Sequence, residues 1–274
     1  MVMKRVIVTP AGRERYLQRL LKHLESQKSD FDEWHLWMNT RVESDIAYAE
    51  KLAATYPWIS TVYLQEKEND TNTAYNNYRI CRFFPLDAVD RNTVYLRLDD
   101  DVVWLEPMFV SKMFEYRLSH PEPFLIYGNI INNAMLSHLH QRAGLLPRTK
   151  PAGYACMDDV GWRDPLFAEE VHRSFLRSAS LKQWHHFQRW VLHLHDYERC
   201  SINAISWTGK DFAAFEGKVG DDEEQWLSVD KPRDLGRPNE IYGQAVCVHF
   251  SFFTQRDHLD ATDILEKYDS FELA

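Results

Sequence analysis

Apolar positions in the first third of the chain change period several times, and each change predicts an element. A short β-rich run, Val6 to Val8, leads into a Thr-Pro-Ala-Gly turn, after which Tyr16, Leu17, Leu20, Leu21 and Leu24 recur at helical spacing. EWHLWMN (33–39) then reads as a strand, SDIAYAEKLAATY (44–56) as a helix with Ser44 at its N-cap, and ISTVYLQ (59–65) as a strand. NTAYNNYRICRFF (72–84) predicts a helix that delivers the chain to the strand TVYLRLDDD (93–101). Strands alternating with helices at this spacing predict an α/β fold: a Rossmann-like, mostly parallel central sheet flanked by helices. Residues 1–105 then form a nucleotide-binding half and 106–274 an acceptor-binding half of one domain.

Beyond the triple aspartate the pattern loosens. FLIYGNII (124–131) is a strand, whereas residues 132–180 mix Gly, Pro and polar positions, as a substrate-facing region does. In LKQWHHFQRWVLHLHDYE, Trp184, Phe187, Val191 and Leu194 recur in steps of three and four and predict an amphipathic helix. The acidic GDDEEQWLS (220–228) follows, then a Pro/Gly-punctuated loop and the strand-like QAVCVHFSFF (244–253).

A chain of 274 residues is long enough for a core with specialised loops, so no disulfide scaffold is needed. The net charge of -9 disfavours a nucleic-acid or anionic-membrane surface, since either calls for a basic face. Four dispersed cysteines without a CxxC pair read as reduced thiols and predict a cytoplasmic setting. No stretch approaches the length of an apolar membrane span.

Asp99, Asp100 and Asp101 end a buried strand, and in open α/β sheets ligands bind where strands end. Three adjacent carboxylates repel one another unless a cation or hydrogen-bond donors compensate. Hard oxygen ligands favour Mg²⁺ or Mn²⁺. The alternative for the triplet alone is a solvated turn that interrupts a strand.

A strand entering Asp-x-Asp after about a hundred residues of alternating β and α resembles the nucleotide-sugar-dependent glycosyltransferases of the GT-A fold. VTPAGRERY (8–16) is similar to that family's first-strand loop, which implies Thr9, Pro10 and Arg13 as nucleotide contacts. NTAYNNYR (72–79) resembles the segment before Asp-x-Asp and implies Asn76 and Arg79. AVCVHFSF (245–252) places His249 where many members complete the metal site. By the family pattern Asp101 coordinates Mn²⁺ or Mg²⁺ with His249, Asp99 sits near the ribose or base, and Asp100 bridges or contacts the sugar. The resemblance implies a nucleoside-diphosphate sugar as donor, UDP by family frequency, and a glycan or glycoconjugate as acceptor.

Inverting transfer needs a carboxylate to take the acceptor hydroxyl's proton. Gly220-Asp221-Asp222-Glu223 looks like the acidic pair after glycine that inverting members carry under the acceptor, with Asp222 as the first choice of base and Glu223 the second. Four acids at a helix start are also what the helix dipole favours. Upstream, Trp207 offers a flat face to a sugar, with Lys210 and Asp211 as polar contacts. The histidines of 185–195 lack the i, i+3 or i, i+4 partners of a helical zinc site.

Two other readings stay open on sequence. LDDDVV also satisfies the nucleophile motif of haloacid-dehalogenase-type phosphohydrolases, with Asp99 attacking phosphorus, although that family places the motif on its first strand. A non-catalytic carbohydrate-binding protein on the same fold is the other. Nucleotidyl transfer is weakened by the lack of a Gly-rich, Lys-bearing loop in TPAGRERY.

Overall fold

The computed structural model describes residues 3–65 and 77–270. Its centre is one nine-stranded sheet that runs through both halves of the chain. The strands are β1 (Lys4–Ala11), β2 (Glu33–Met38), β3 (Ile59–Val62), β4 (Thr93–Leu98), β5 (Val102–Leu105), β6 (Ile126–Ile131), β7 (Val191–His193), β8 (Ala204–Thr208) and β9 (Glu240–His249). They lie in the order β3-β2-β1-β4-β8-β6-β9-β5, with β7 pairing on β9. The helices that matter below are α1 (Glu14–Ser26), α2 (Glu43–Thr55), α3 (Phe84–Asp87), α4 (Phe109–Ser119), α5 (Ala134–Arg142) and α6 (Pro165–Ser180).

The first half follows the expected pattern. β1 pairs in parallel with β2 and β4, and β2 with β3; α1 connects β1 to β2 and α2 connects β2 to β3. The six residues of β4 are all buried, as expected of a strand covered on both faces, and Arg97 is the one charge among them. α1 turns Tyr16, Leu17, Leu20, Leu21 and Leu24 inward, so its 3.6-residue stripe meets the sheet.

The second half departs from a parallel sheet. β8 runs antiparallel to both β4 and β6, and β9 runs antiparallel to β5 and β7, so the sheet is mixed. Sequence 181–198 forms no long helix: a 3₁₀ turn at Trp184–Phe187 precedes β7. Edge pairing outcompeted the helical spacing because β9 approaches there at Gly243, where a Cβ would lie 2.0 Å from the Arg189 carbonyl oxygen. Trp184 and Phe187 still face a second apolar cluster, with Trp104 and Phe175, which explains their spacing.

Two smaller expectations also change. α2 begins at Glu43, with Val42 at the N-cap position and no side-chain cap, so Ser44 lies inside the helix. The described part of 72–84 is a 3₁₀ turn, Asn77–Arg82, followed by α3. The four cysteines are buried free thiols. Among the described residues no helix is long and apolar enough to cross a membrane.

Candidate active site

The chain leaves β1 toward β2 on one side and later returns through β4 on the other, so the sheet order reverses between these two strands. At such a switch point the loops beyond the strand ends part and leave a crevice. A cleft of about 660 Å³ opens there, lined by Pro10 at the end of β1, Arg13 beyond it, Asn39 beyond β2 and Asp99 and Asp101 beyond β4. Arg199, Asn203, residues 221–224 and the segment from His249 to Arg256 close its other walls.

The triple aspartate is fixed by backbone as well as charge. Asp99 N–H donates to the Asn203 carbonyl (2.9 Å), and Phe250 N–H donates to the Asp101 carbonyl (2.8 Å). The three carboxylates point to different partners. Asp99 Oδ1 accepts from Arg97 Nε (2.9 Å) and its Oδ2 from Asn203 Nδ2 (3.1 Å). Asp100 accepts from Gly12 N–H (3.1 Å) and from Arg13, and is buried. Asp101 Oδ2 meets Arg13 (2.9 Å) and Arg256 (3.7 Å), while Oδ1 lies 3.6 Å from His249 Nε2.

Compensation of like charges thus comes first from arginine. Burial alone would raise the Asp101 carboxyl, but Arg13, His249 and Arg256 outweigh it and hold it below the ordinary range. Burial wins at Asp100, whose carboxyl is raised despite Arg13. Burial would lower the His249 imidazole, but Asp101 lifts it above its ordinary value.

Asp101 and His249 are the two residues of the cleft that could offer ligands to a divalent cation. His249 Nδ1 faces the Asn132 carbonyl (3.1 Å), which turns Nε2 toward Asp101 as an outer-shell partner does for a metal-bound histidine. The 3.6 Å between Asp101 Oδ1 and His249 Nε2 is a span that a cation with bonds of about 2.0–2.2 Å can bridge. Among the described residues no group of three or more His, Cys, Asp or Glu side chains is arranged to hold a metal ion, so the remaining ligands would be water or substrate oxygens.

On the opposite wall the two acids proposed as base differ in kind. Asp222 is exposed and caps the short helix Glu223–Gln225, accepting from Gln225 N–H (3.1 Å) while Arg199 binds both its oxygens. Glu223 is buried, and its Oε1 accepts from Arg97 NH1 (2.9 Å). Its Oε2 is buried with no hydrogen-bond partner among the described residues. Burial, only partly offset by Arg97, pushes the Glu223 carboxyl up to about 7. The two acids therefore differ in their surroundings: one Glu223 oxygen has no partner among the described residues, whereas both Asp222 oxygens are engaged by the cap and Arg199.

Other expected contacts are placed elsewhere. Trp207 is fully buried and stacks on Tyr95 with centroids 5.5 Å apart, so it has no face for a sugar. Because β8 is antiparallel to β4, Thr208 pairs with Val94 at the start of that strand, roughly 15 Å of strand away from Asp99. Lys210 and Asp211 follow at that far end, where Asp211 is held by Arg237 (2.8 Å). Thr9 is buried and accepts from Trp34 Nε1 (2.9 Å), so its hydroxyl serves the core. Asp100 is likewise spent on the β1 loop. Pro10, Arg13, Asp99, Asp101, His249, Asp222 and Glu223 do line the cleft. Arg79 lies on the turn whose Ile80 lines it. Asn76 lies outside the described residues.

One further residue of the site, Arg97, carried a signal in the sequence. Arg97 is a lone charge in an apolar strand, and a buried arginine must be paired; it bridges Asp99 and Glu223. Arg199, Asn203, Ser251 and Arg256 had no such mark, since they come together only in the fold.

Fold and site together define an α/β protein with a mixed, helix-flanked sheet and a polar cleft at its switch point. No family model matches the chain, and no curated protein matches it in sequence. Among solved structures it is similar to a mycobacterial protein, at 14% identity over 94% of this chain and 70% of that one, with a TM-score of 0.50. That likeness shows the fold. Two looser ones are 4-diphosphocytidyl-2C-methyl-D-erythritol synthase from Anaerococcus prevotii (12% identity, 94% and 95% of the two chains, TM-score 0.45) and CMP:2-keto-3-deoxy-manno-octonic acid synthetase complexed with CTP (10%, 89% and 90%, TM-score 0.44). At these identities neither says what this chain does.

Proposed function

We propose that this protein is a divalent-cation-dependent glycosyltransferase that moves a sugar from a nucleoside-diphosphate sugar, UDP-linked by preference, to a hydroxyl of a glycan or glycoconjugate, with inversion. The observation that carries this reading is the placement of Glu223, with one carboxylate oxygen unpartnered among the described residues, in the same cleft as the Asp101–His249 pair.

In this reading Pro10 and Asn39, at the ends of β1 and β2, border the nucleotide. Arg13 holds Asp101 in place through Oδ2 and leaves Oδ1 facing His249, and these two residues would hold Mn²⁺ or Mg²⁺. When bound, the cation neutralises charge on the leaving diphosphate. Arg256, on the same wall, adds a second positive group. Glu223 accepts the proton of the acceptor hydroxyl at Oε2. The freed oxygen forms its bond to the anomeric carbon as the bond from that carbon to the diphosphate oxygen breaks, and the electron pair leaves with the diphosphate. Arg97 holds Glu223 and Asp99 in one rigid unit. Asp99, the nucleophile of the phosphohydrolase alternative, has both oxygens engaged, which argues against that chemistry.

The test is product identity. Incubation with a panel of nucleoside-diphosphate sugars, Mn²⁺ and mixed glycan acceptors is expected to release nucleoside diphosphate, and Glu223→Gln to stop the release. Release of pyrophosphate from a nucleoside triphosphate instead would make the protein a nucleotidyltransferase and overturn the reading.

A further inference from the structure

Beyond His249 one wall of the cleft changes character. Phe253 is 69% exposed and Met157 54% exposed, and both line the cleft beside the half-buried Trp162. Exposed apolar side chains are ordinarily scattered; these converge. The Phe253 ring stands edge-on to Trp162, with centroids 5.2 Å apart at 82°, and Phe252 continues the row to His249, 4.7 Å away.

The two loops that carry this row are pinned to each other. Gln255 is fully buried; its Oε1 accepts from Asn132 Nδ2 (3.1 Å) and Phe252 N–H (3.3 Å), and its Nε2 donates to the Gly161 carbonyl (3.1 Å). Thr254 Oγ1 donates to the Trp162 carbonyl (2.5 Å). Gly161 itself packs so closely that a Cβ would lie 2.9 Å from Ala134 Cα. The backbone therefore holds the two rings at the mouth of the cleft.

What would cover them is indicated by the polar atoms of the same cleft. Glu223 Oε2, Asn203 Oδ1 and Ser251 Oγ are buried without a hydrogen-bond partner among the described residues; Asn203 Oδ1 is an acceptor only, as is Glu223 Oε2 when the carboxyl is ionised. Such atoms call for donors. Phosphate oxygens and acyl chains supply none. A pyranose ring supplies hydroxyl donors around its rim and an apolar C–H face for an aromatic platform.

Resting on the glycosyl-transfer reading, we propose that Trp162 and Phe253 form the platform on which a pyranose ring of the acceptor glycan lies, its hydroxyls turned toward Asn203 and Glu223. The test is a printed glycan array probed with the full chain in the presence of UDP and Mn²⁺, with UDP-induced thermal stabilisation measured in parallel. Trp162→Ala and Phe253→Ala are each expected to weaken glycan capture roughly ten-fold. Trp162→Phe and Phe253→Tyr should restore most of it, and all four variants should keep the UDP response. Glycan capture unchanged in the alanine variants overturns the platform. So does a wild-type protein that responds to UDP but captures no pyranoside. Loss of the UDP response in the alanine variants would assign the rings to the donor instead. A wild type stabilised neither by UDP nor by the other nucleoside diphosphates, run in the same melting assay, defeats the glycosyl-transfer reading itself, and the platform with it.

Discussion

Replacing Glu223 with glutamine separates stability from catalysis at one buried atom. The side chain keeps its shape and its acceptor toward Arg97 but can no longer ionise. In the wild type the carboxyl is pushed from 4.5 to about 7 by burial, with Arg97 opposing. A folded value above the unfolded one means the group's contribution is fully present below pH 4.5 and lost as pH rises through about 7. Ionising the folded protein therefore costs about 3 kcal/mol at most. Relative to wild type, Glu223→Gln should be near neutral at pH 5 and more stable above pH 7, by roughly 6 to 12 °C in melting temperature if the full amount is realised. Sugar transfer should fall by about two to four orders of magnitude above pH 7, where the wild-type base is ionised, and by progressively less toward pH 5, where the wild type is itself protonated. Melting curves of both proteins from pH 5 to 8.5, alongside transfer rates, measure both effects. A stability difference that stays flat with pH would show that Glu223 is not a strained, ionisable group, and full activity in the variant would remove it as the base.

Arg97→Met leaves Asp99 and Glu223 without their shared counter-charge and should cost about 3–5 kcal/mol in urea unfolding; a loss under about 1 kcal/mol would mean the bridge is slack. Trp207→Ala should cost a similar ~3–5 kcal/mol through core packing, yet the protein that remains folded should keep its UDP response and its glycan capture, because the residue lies at the far end of β4. Asp222→Ala removes a helix cap worth about 1 kcal/mol and should leave transfer within a few-fold of wild type; a hundred-fold loss would return the base to Asp222.

Local patterns reached much of the fold. The alternation of apolar runs with helical stripes was enough for β1 to β4, because each strand–helix unit satisfies its own periodicity and pairs with a neighbour. The second half resisted because β7, β8 and β9 pair antiparallel with distant partners, and nothing local to 181–198 reveals that Gly243 will lie against Arg189. The site divides in the same way. Asp99 and Asp101 stood out as charges at the end of an apolar strand, whereas His249 was singled out only through the family resemblance; the fold brings all three to one cleft. Trp207 misled because an aromatic after a strand looks alike whether it faces a cleft or the core; only the direction of β8 decides. Glu223 and Asp222 are adjacent acids of one motif, and only the fold shows that one pairs with buried Arg97 while the other caps a helix.

The central claim is that Asp101 and His249 form a cation site that serves a nucleoside-diphosphate sugar. Its most direct test is the melting temperature of the full chain with UDP and UDP-sugars, with Mn²⁺ or with EDTA, for wild type, Asp101→Asn and His249→Ala. A ligand at a hundred times its Kd stabilises by about 2.7 kcal/mol, which is a rise of roughly 5 to 10 °C. The account predicts that rise in the wild type with Mn²⁺ and its loss with EDTA and in both variants. An equal rise in EDTA, or one that survives both substitutions, would contradict it.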